Sequence, residues 1–364
     1  MSAQDPVLAR LVDEVNSARE RAAPLDIRGG GSKLFYGEAA VGDALDVTCL
    51  SGITSYEPTE LVVTVRAGTR LDHLEAALAE HGQCLAFEPP RFAPGGTVGG
   101  MIAAGLSGPA RASFGSVRDH VLGVTLLNGR GEILTFGGQV AKNVAGYDVS
   151  RLLAGSLGIL GVICEVSLKV LPVSPATATL RFDCGAAEAF AQLRNWAAQP
   201  LPISATAWQE GGLYVRLAGA RAAVGAACTR LGGAQLEPEQ AESWWSSVRD
   251  HRAEFFNIDA AGLARGESLW RLSVPATAPA LELSGQQFIE WGGAQRWWKT
   301  LAHAGVVRSA AARAGGHATL IRAADKSNGV FAPLSDVAMR IHRGLKQAFD
   351  PLRIFNRGRL YAGL

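Results

Sequence analysis

Three glycine-rich runs carry the residues of this chain with the clearest chemical potential. Residues 24–33 read PLDIRGGGSK, residues 94–108 read PGGTVGGMIAAGLSG, and residues 155–161 read GSLGILG. Glycine has no side chain to hold ligand groups away, so a glycine run lets backbone N–H groups close around a phosphate. One run is what any tight turn needs. Three in this order imply a chain that wraps a diphosphate ligand from several sides.

The common alternatives for a diphosphate are absent. A Rossmann GxGxxG must join a strand to a helix within one βαβ unit, and Gly129-Arg130-Gly131 lacks the third glycine and sits in a hairpin signal. No P-loop pattern occurs. Metal chemistry has little to draw on. The seven histidines (His73, His81, His120, His251, His303, His317 and His342) include no HxH or HxxxH pair, so no metal site is expected. His317 lies in a suggestive AGGHATLIR context but reads as a structural or surface residue. Arg322 and Lys326 beyond it would suit a carboxylate, or simply face solvent. No catalytic residue is assigned. The five cysteines are dispersed with no CxxC pair, which fits reduced thiols and excludes the grouped ligands of an iron–sulfur cluster.

The elements that must position the glycine runs are mixed. Residues 61–66 (LVVTVR) read as a strand, and 71–81 as a helix with Leu71, Leu74 and Leu78 on one face and Gly82 as its C-terminal stop. Residues 121–127 and 132–136 are apolar runs joined through Asn128-Gly129-Arg130-Gly131, a hairpin signal. Residues 159–171 form a long β-branched strand candidate, and the first two glycine runs are expected in strand-rich surroundings. Further on, strands are expected at 177–182, 213–217, 269–274, 286–291 and 318–323. Helices are expected at 186–198, 220–231, 239–251 and 334–349, the last stopping at Asp350-Pro351. Strands and helices without a regular βαβ rhythm make this an α+β chain.

All eight tryptophans lie between Trp196 and Trp298, a compositional break that marks a second unit. With LPVSP as the boundary, the expected domains are 1–174, 175–332, and a C-terminal helix and tail, 333–364, returning to the first. Trp244-Trp245 and Trp297-Trp298 fit either core packing or a subunit interface. A net charge of +2 gives no pull toward nucleic acid, and no apolar run is long enough for an integral membrane segment. The N-terminus lacks a signal-peptide core, so the expected location is cytoplasmic.

Together, PLDIRGGGSK, ELVVTVRAGTRLDHLEAAL, PGGTVGGMIAAGLSGPARASFGSVRDHVLGV and GGQVAKNVAGYDVSRLLAGSLGILGVICEVSLKVLP resemble the vanillyl-alcohol oxidase/PCMH type of FAD-binding family across residues 20–175. FNRGRLY near the end is similar to that family's terminal FNPGR segment. The likeness is strongest to the smaller flavoprotein subunits of bacterial glycolate oxidases (glycolate dehydrogenases). It implies a two-subdomain FAD-binding domain and a smaller α+β cap, an antiparallel sheet with helices on one face.

Carried over position by position, the resemblance puts Arg28, Gly29, Gly30, Gly31, Ser32 and Lys33 under the FAD pyrophosphate. Pro94, Gly95, Gly96, Thr97, Gly99 and Gly100 would form a second wall. Ala104, Ser107, Gly108 and Arg111 would lie toward the isoalloxazine, and Gly155, Ser156, Gly158, Gly161 and Val162 at the adenosine end. Lys142, in KNVAGYD, would stabilise negative charge on the reduced ring, while Tyr147 and Asp148 fit equally a cap for the next helix. Ser32 stands in a loop where some relatives attach the flavin through histidine, so the FAD is expected to be non-covalent. The implied function is the FAD-bearing subunit of a complex that oxidises glycolate to glyoxylate. Its implied partners are a larger flavin subunit and an iron–sulfur subunit that pass electrons onward, with peripheral membrane association through them. Two readings stay open beside it: a self-sufficient FAD-dependent dehydrogenase or oxidase of another small alcohol or acid, and a non-catalytic FAD-bearing assembly subunit.

Overall fold

The structure, a computed structural model, describes residues 5–138 and 148–364. The chain starts in a helix, Pro6–Glu20, that its sequence caps well. Asp5 accepts from the N–H groups of Val7 at 3.0 Å and Leu8 at 3.4 Å, and Pro6 occupies the first turn, where no N–H is needed. The helix buries Leu8, Leu11, Val15 and Ala18 against Leu25, Leu45, Val47, Ile354 and Phe355. Strands Leu25–Arg28 and Asp43–Asp46 pair in parallel on this core. The C-terminal tail docks beside the first of them: Leu25 N–H donates to Ile354 O at 2.6 Å, and Asn356 N–H to Leu25 O at 2.9 Å.

A five-stranded antiparallel sheet follows, in the order Ile53–Glu57, Val62–Arg66, Val162–Lys169, Val121–Leu127, Ile133–Gly137. The expected hairpin is there, with Leu127 opposite Ile133. Asn128 closes its turn by accepting from the N–H groups of Arg130 and Glu132. The expected helix is also there, over Leu71–Ala79, with Leu71, Leu74 and Leu78 buried on the sheet. The strand expected over 159–171 is shorter, Val162–Lys169, because Gly158 and Gly161 turn the chain at positive φ before it. The second glycine run leads into a helix rather than a strand. Thr97 caps Val98–Ala104 by accepting from Gly100 N–H at 3.2 Å.

Residues beyond 175 build an eight-stranded antiparallel sheet. Its order is Ala234–Gln235, Ala176–Asp183, Gly212–Gly219, Ile203–Gln209, Gln286–Glu290, Gln295–Thr300, Ser268–Ser273, His317–Arg322. Helices Ala186–Ala197 and Arg221–Leu231 share one core with Leu213, Val215 and Leu217. Helix Pro238–Arg249 belongs to another. Its Trp245 and Val248 pack with Phe288 and Trp297 of the sheet and with Tyr36, Ala104 and Leu106 of the first part. That shared core seats the eight-stranded sheet on the glycine-rich half. Trp245, Trp297 and Trp298 are buried in the core of the chain, and half-buried Trp244 stacks on Tyr214 at 3.9 Å. Among the described residues, no helix is long and apolar enough to cross a membrane.

Candidate functional site

Strand Leu25–Arg28 delivers the first glycine run onto the N-terminal end of helix Val98–Ala104, and the two meet at backbone distance. A methyl group on Gly30 would lie 1.5 Å from Gly95 O, and one on Gly29 2.3 Å from Thr97 Oγ1. Only glycine permits this approach. A cleft opens along the contact. Its walls include Arg28, Gly29, Gly30, Gly31, Ser32 and Lys33 from the first run, Thr97, Gly99, Gly100 and Ala104 from the second, and Gly158 and Gly161 from the third. The three runs that are far apart in sequence thus line one space.

The cleft offers donors and positive charge. The N–H groups of Gly30, Gly31 and Ser32 make no hydrogen bond to another described residue. Successive free N–H groups in a turn form a concave anion cradle. Arg28 is held at 2.6 Å by buried Asp26. Lys33 has no carboxylate partner among the described residues. Burial pulls its ammonium down to about 8, with the Asp250 charge acting in the opposite direction. An FAD diphosphate fits such a wall: it takes free N–H groups as charge-assisted donors and supplies the anion that Lys33 lacks.

Two cleft residues come from the distant C-terminal tail, and the sequence reading gave the tail a motif without giving these residues roles. Asn356 Oδ1 accepts from Ile27 N–H at 2.7 Å, and its Nδ2 donates to Leu157 O at 2.6 Å. One amide therefore ties the strand before the first run to the third run. Arg359 donates to the carbonyls of Leu34 and Tyr36 at 2.9 and 2.8 Å, and to that of Glu38. Asp26, Ile27, Leu34, Val47, Ala103, Leu157 and Ile163 complete the wall.

The remaining candidates lie off the cleft wall. Gly95 and Gly96 back the first run, Gly96 lying against Ser32, and Pro94 is exposed beside them. Ser107 accepts from Val117 N–H, and Gly108 O accepts from Trp291 Nε1. Arg111 lies over the Trp291 ring, its centre 4.6 Å away. Gly155 N–H donates to Ile102 O, Ser156 Oγ accepts from Gly158 N–H, and Val162 is fully buried in the core of the N-terminal helix. Lys142 and Tyr147 fall outside the described residues. Asp148 caps the following short helix through Arg151 N–H and pairs with the Arg151 side chain. Lys326 donates to the carbonyls of Phe35 and Gly37, a structural latch. His317 is exposed.

The FAD binding domain family matches residues 8–137. Glycolate oxidase subunit GlcE of Escherichia coli (strain K12) is 46% identical over 354 residues, covering 97% of each chain. Glycolate oxidase subunit GlcD of Bacillus subtilis (strain 168) is 32% identical over 187 residues, 49% of this chain and 39% of that one. Among solved structures, an alkyldihydroxyacetonephosphate synthase superposes with a TM-score of 0.67 over 96% of this chain and 74% of its own. At 16% identity this reports the fold alone.

Proposed function

This chain belongs to the PCMH-type FAD-binding oxidoreductases, in their glycolate oxidase subunit branch, and on that premise we propose that it is the FAD-bearing subunit of a complex that oxidises glycolate to glyoxylate. The observation that carries the site assignment is the row of free N–H groups at Gly30, Gly31 and Ser32, set in a cleft that all three glycine runs share. These groups would hold the diphosphate, with Lys33 and Arg28 balancing its charge. Thr97, Gly99 and Gly100 would close the opposite side. FAD, when bound, supplies the two-electron acceptor for the alcohol-to-carbonyl oxidation. Attachment is non-covalent in this reading, since the first loop offers serine rather than histidine or cysteine. Electrons leave through a partner: the cysteines are dispersed, and no group of metal-ligating side chains occurs among the described residues. A larger flavin subunit and an iron–sulfur subunit are the partners proposed, with any membrane contact made through them.

The visible absorption spectrum of the chain purified alone, before and after anaerobic glycolate, tests this. A flavin band is expected. Its absence would overturn FAD retention by the isolated chain. Bleaching by glycolate would place a working substrate site here, and a band that stays oxidised would place the chemistry on a partner.

A second expected result follows from Lys33. In the flavin-free folded chain its ammonium loses its proton above about pH 8, whereas in the unfolded chain it holds it to about 10.5. An anionic diphosphate favours the charged form, so FAD binding near pH 8.5 takes up a proton. FAD affinity falls as pH rises through 8, by at most about tenfold per pH unit. Calorimetric titrations of FAD in two buffers of different ionisation enthalpy read the uptake directly. It should vanish in Lys33→Met, and a wild-type value of zero would remove Lys33 from the cofactor site.

A further inference from the structure

Helix Asp336–Phe349 is apolar on two sides. Its inner side is accounted for: Met339, Leu345 and Phe349 pack on the core of the five-stranded sheet, and Lys346 is buried beneath them. Its outer side is not. Val337 and Ile341 stand 57% and 59% exposed on consecutive turns, and Gly344 and Ala348 are exposed after them. Steps of four, three and four residues keep these positions in one stripe at 3.6 residues per turn. A single exposed aliphatic side chain needs no explanation, but a stripe that continues over three turns of one helix marks a contact surface.

The charge beside the stripe is one-sided. Arg340 and Arg343 are exposed on its flank, and Arg353 and Arg357 are exposed just beyond the helix. None of the four is in an ion pair among the described residues. From residue 334 onward the only exposed acidic side chain is Asp336, in the first turn, where the helix dipole favours it. Four cations against one anion exceed the net charge of the entire chain, +2, so the rest of the chain carries no net positive charge. The positive field is gathered at this one place.

Three occupants suit an apolar stripe on a helix, and the chemistry selects among them. A second copy would set arginine against arginine, since a two-fold contact brings each patch onto itself. A bilayer takes up apolar area, and half of this stripe is glycine and alanine, which give lipid little to bury. Small side chains serve a different contact. They let another helix approach closely along the seam, with Val337 and Ile341 as the knobs at one end.

We infer that the outer face of helix Asp336–Phe349 docks an amphipathic helix of a protein partner, apolar along one stripe and lined with Asp or Glu where it meets Arg340 and Arg343. This rests on the complex proposed above only for which chain carries that helix. The inner face of the docking helix holds Phe355 through Lys346, next to the Asn356 that lines the cofactor cleft. The partner therefore sits on the element that braces the flavin site.

Surface plasmon resonance of the flavin-loaded chain against the co-purified larger flavin and iron–sulfur subunits tests the inference. Ile341→Glu should weaken binding by about 10- to 100-fold, the scale of a central interface residue. Arg340→Glu combined with Arg343→Glu should slow association and flatten its salt dependence. Leu301→Glu, at a site 65% exposed beside the eight-stranded sheet, should bind as the wild type does. All these variants are at the surface and should keep the flavin band and thermal midpoint. Unchanged binding by Ile341→Glu would overturn the inference and leave the complex standing. No binding by the wild-type chain would overturn the complex, and the inference with it. Two further controls use the chain alone: sedimentation with phosphatidylglycerol vesicles, and its mass as a function of concentration. Vesicle binding or dimerisation that Ile341→Glu abolishes would give the face to a bilayer or a second copy, and would overturn the inference.

Discussion

Gly30→Ala is expected to yield a chain that folds and purifies without flavin. The added methyl would sit 1.5 Å from Gly95 O, and that oxygen belongs to backbone rather than to a side chain that can swing aside. The first glycine loop must therefore lift off the second, carrying the free N–H groups of Gly30, Gly31 and Ser32 with it. Each charge-assisted hydrogen bond to a diphosphate contributes about 1.5–3 kcal/mol, so misplacing two weakens FAD binding by roughly 10²- to 10⁴-fold. The ratio of visible to ultraviolet absorbance after gel filtration measures this, and circular dichroism checks the fold. Gly225→Ala is the matched control. It lies in helix Arg221–Leu231 with nothing within 4 Å of the new methyl, so it should keep its flavin and gain about 0.5–1 kcal/mol of stability. Full flavin occupancy in Gly30→Ala would overturn the placement of the diphosphate.

The glycine runs were legible because their requirement is local: a residue type at a fixed spacing, with no substitute. Hairpin 121–137 and helix Leu71–Ala79 were legible for the same reason, each declaring itself through a turn motif or a single periodicity. Strand Gln295–Thr300 was not, although its aromatic content is high. QRWWKT shows no alternation because both faces of the strand are buried, Trp297 on the Phe288 core and Trp298 on the Trp270 core. A continuous apolar run bounded by charges does not distinguish strand from helix. Helix Val98–Ala104 was hidden differently. Its first turn holds two glycines, poor helix formers that are present because a Cβ at Gly99 would lie 2.7 Å from that of Ala67. The tertiary contact overrides the propensity.

The candidate site divides along the same line. Residues that touch the cleft through backbone announced themselves, whereas Asn356 and Arg359, although they lie in the FNRGRLY motif, act across more than 190 residues of sequence, and nothing local ties them to the cleft. His251 is a further case, since what singles it out is a buried Nδ1 without a hydrogen-bond partner, which is visible only in three dimensions.

What holds the tail in reach of the cleft is a buried ion pair, and breaking it carries the second large expected effect. Lys346 and Asp350 are 1% and 0% exposed at their side chains and meet at 2.8 Å. The ammonium also donates to Ile159 O at 2.7 Å and Phe355 O at 2.8 Å, while the carboxylate accepts from the N–H groups of Ile354 at 3.1 Å and Phe355 at 2.8 Å. Burial lowers the Lys346 ammonium from its ordinary range, and only Asp350 offsets that cost with an opposite charge. Asp350→Ala would strand the cation and orphan two backbone donors, so a loss of about 3–5 kcal/mol is expected in urea titration. Asp350→Asn keeps an acceptor for those donors and should lose less. The same pair sets the course of residues 354–356, and so the aim of Asn356 at Ile27 and Leu157. Asp350→Ala should therefore also release flavin faster than wild type, and added FAD should restore part of its stability in proportion to the logarithm of free FAD over Kd. A variant destabilised to that degree whose flavin dissociates at the wild-type rate would separate the tail from the cofactor site, and Asn356 would then be a brace of the fold alone.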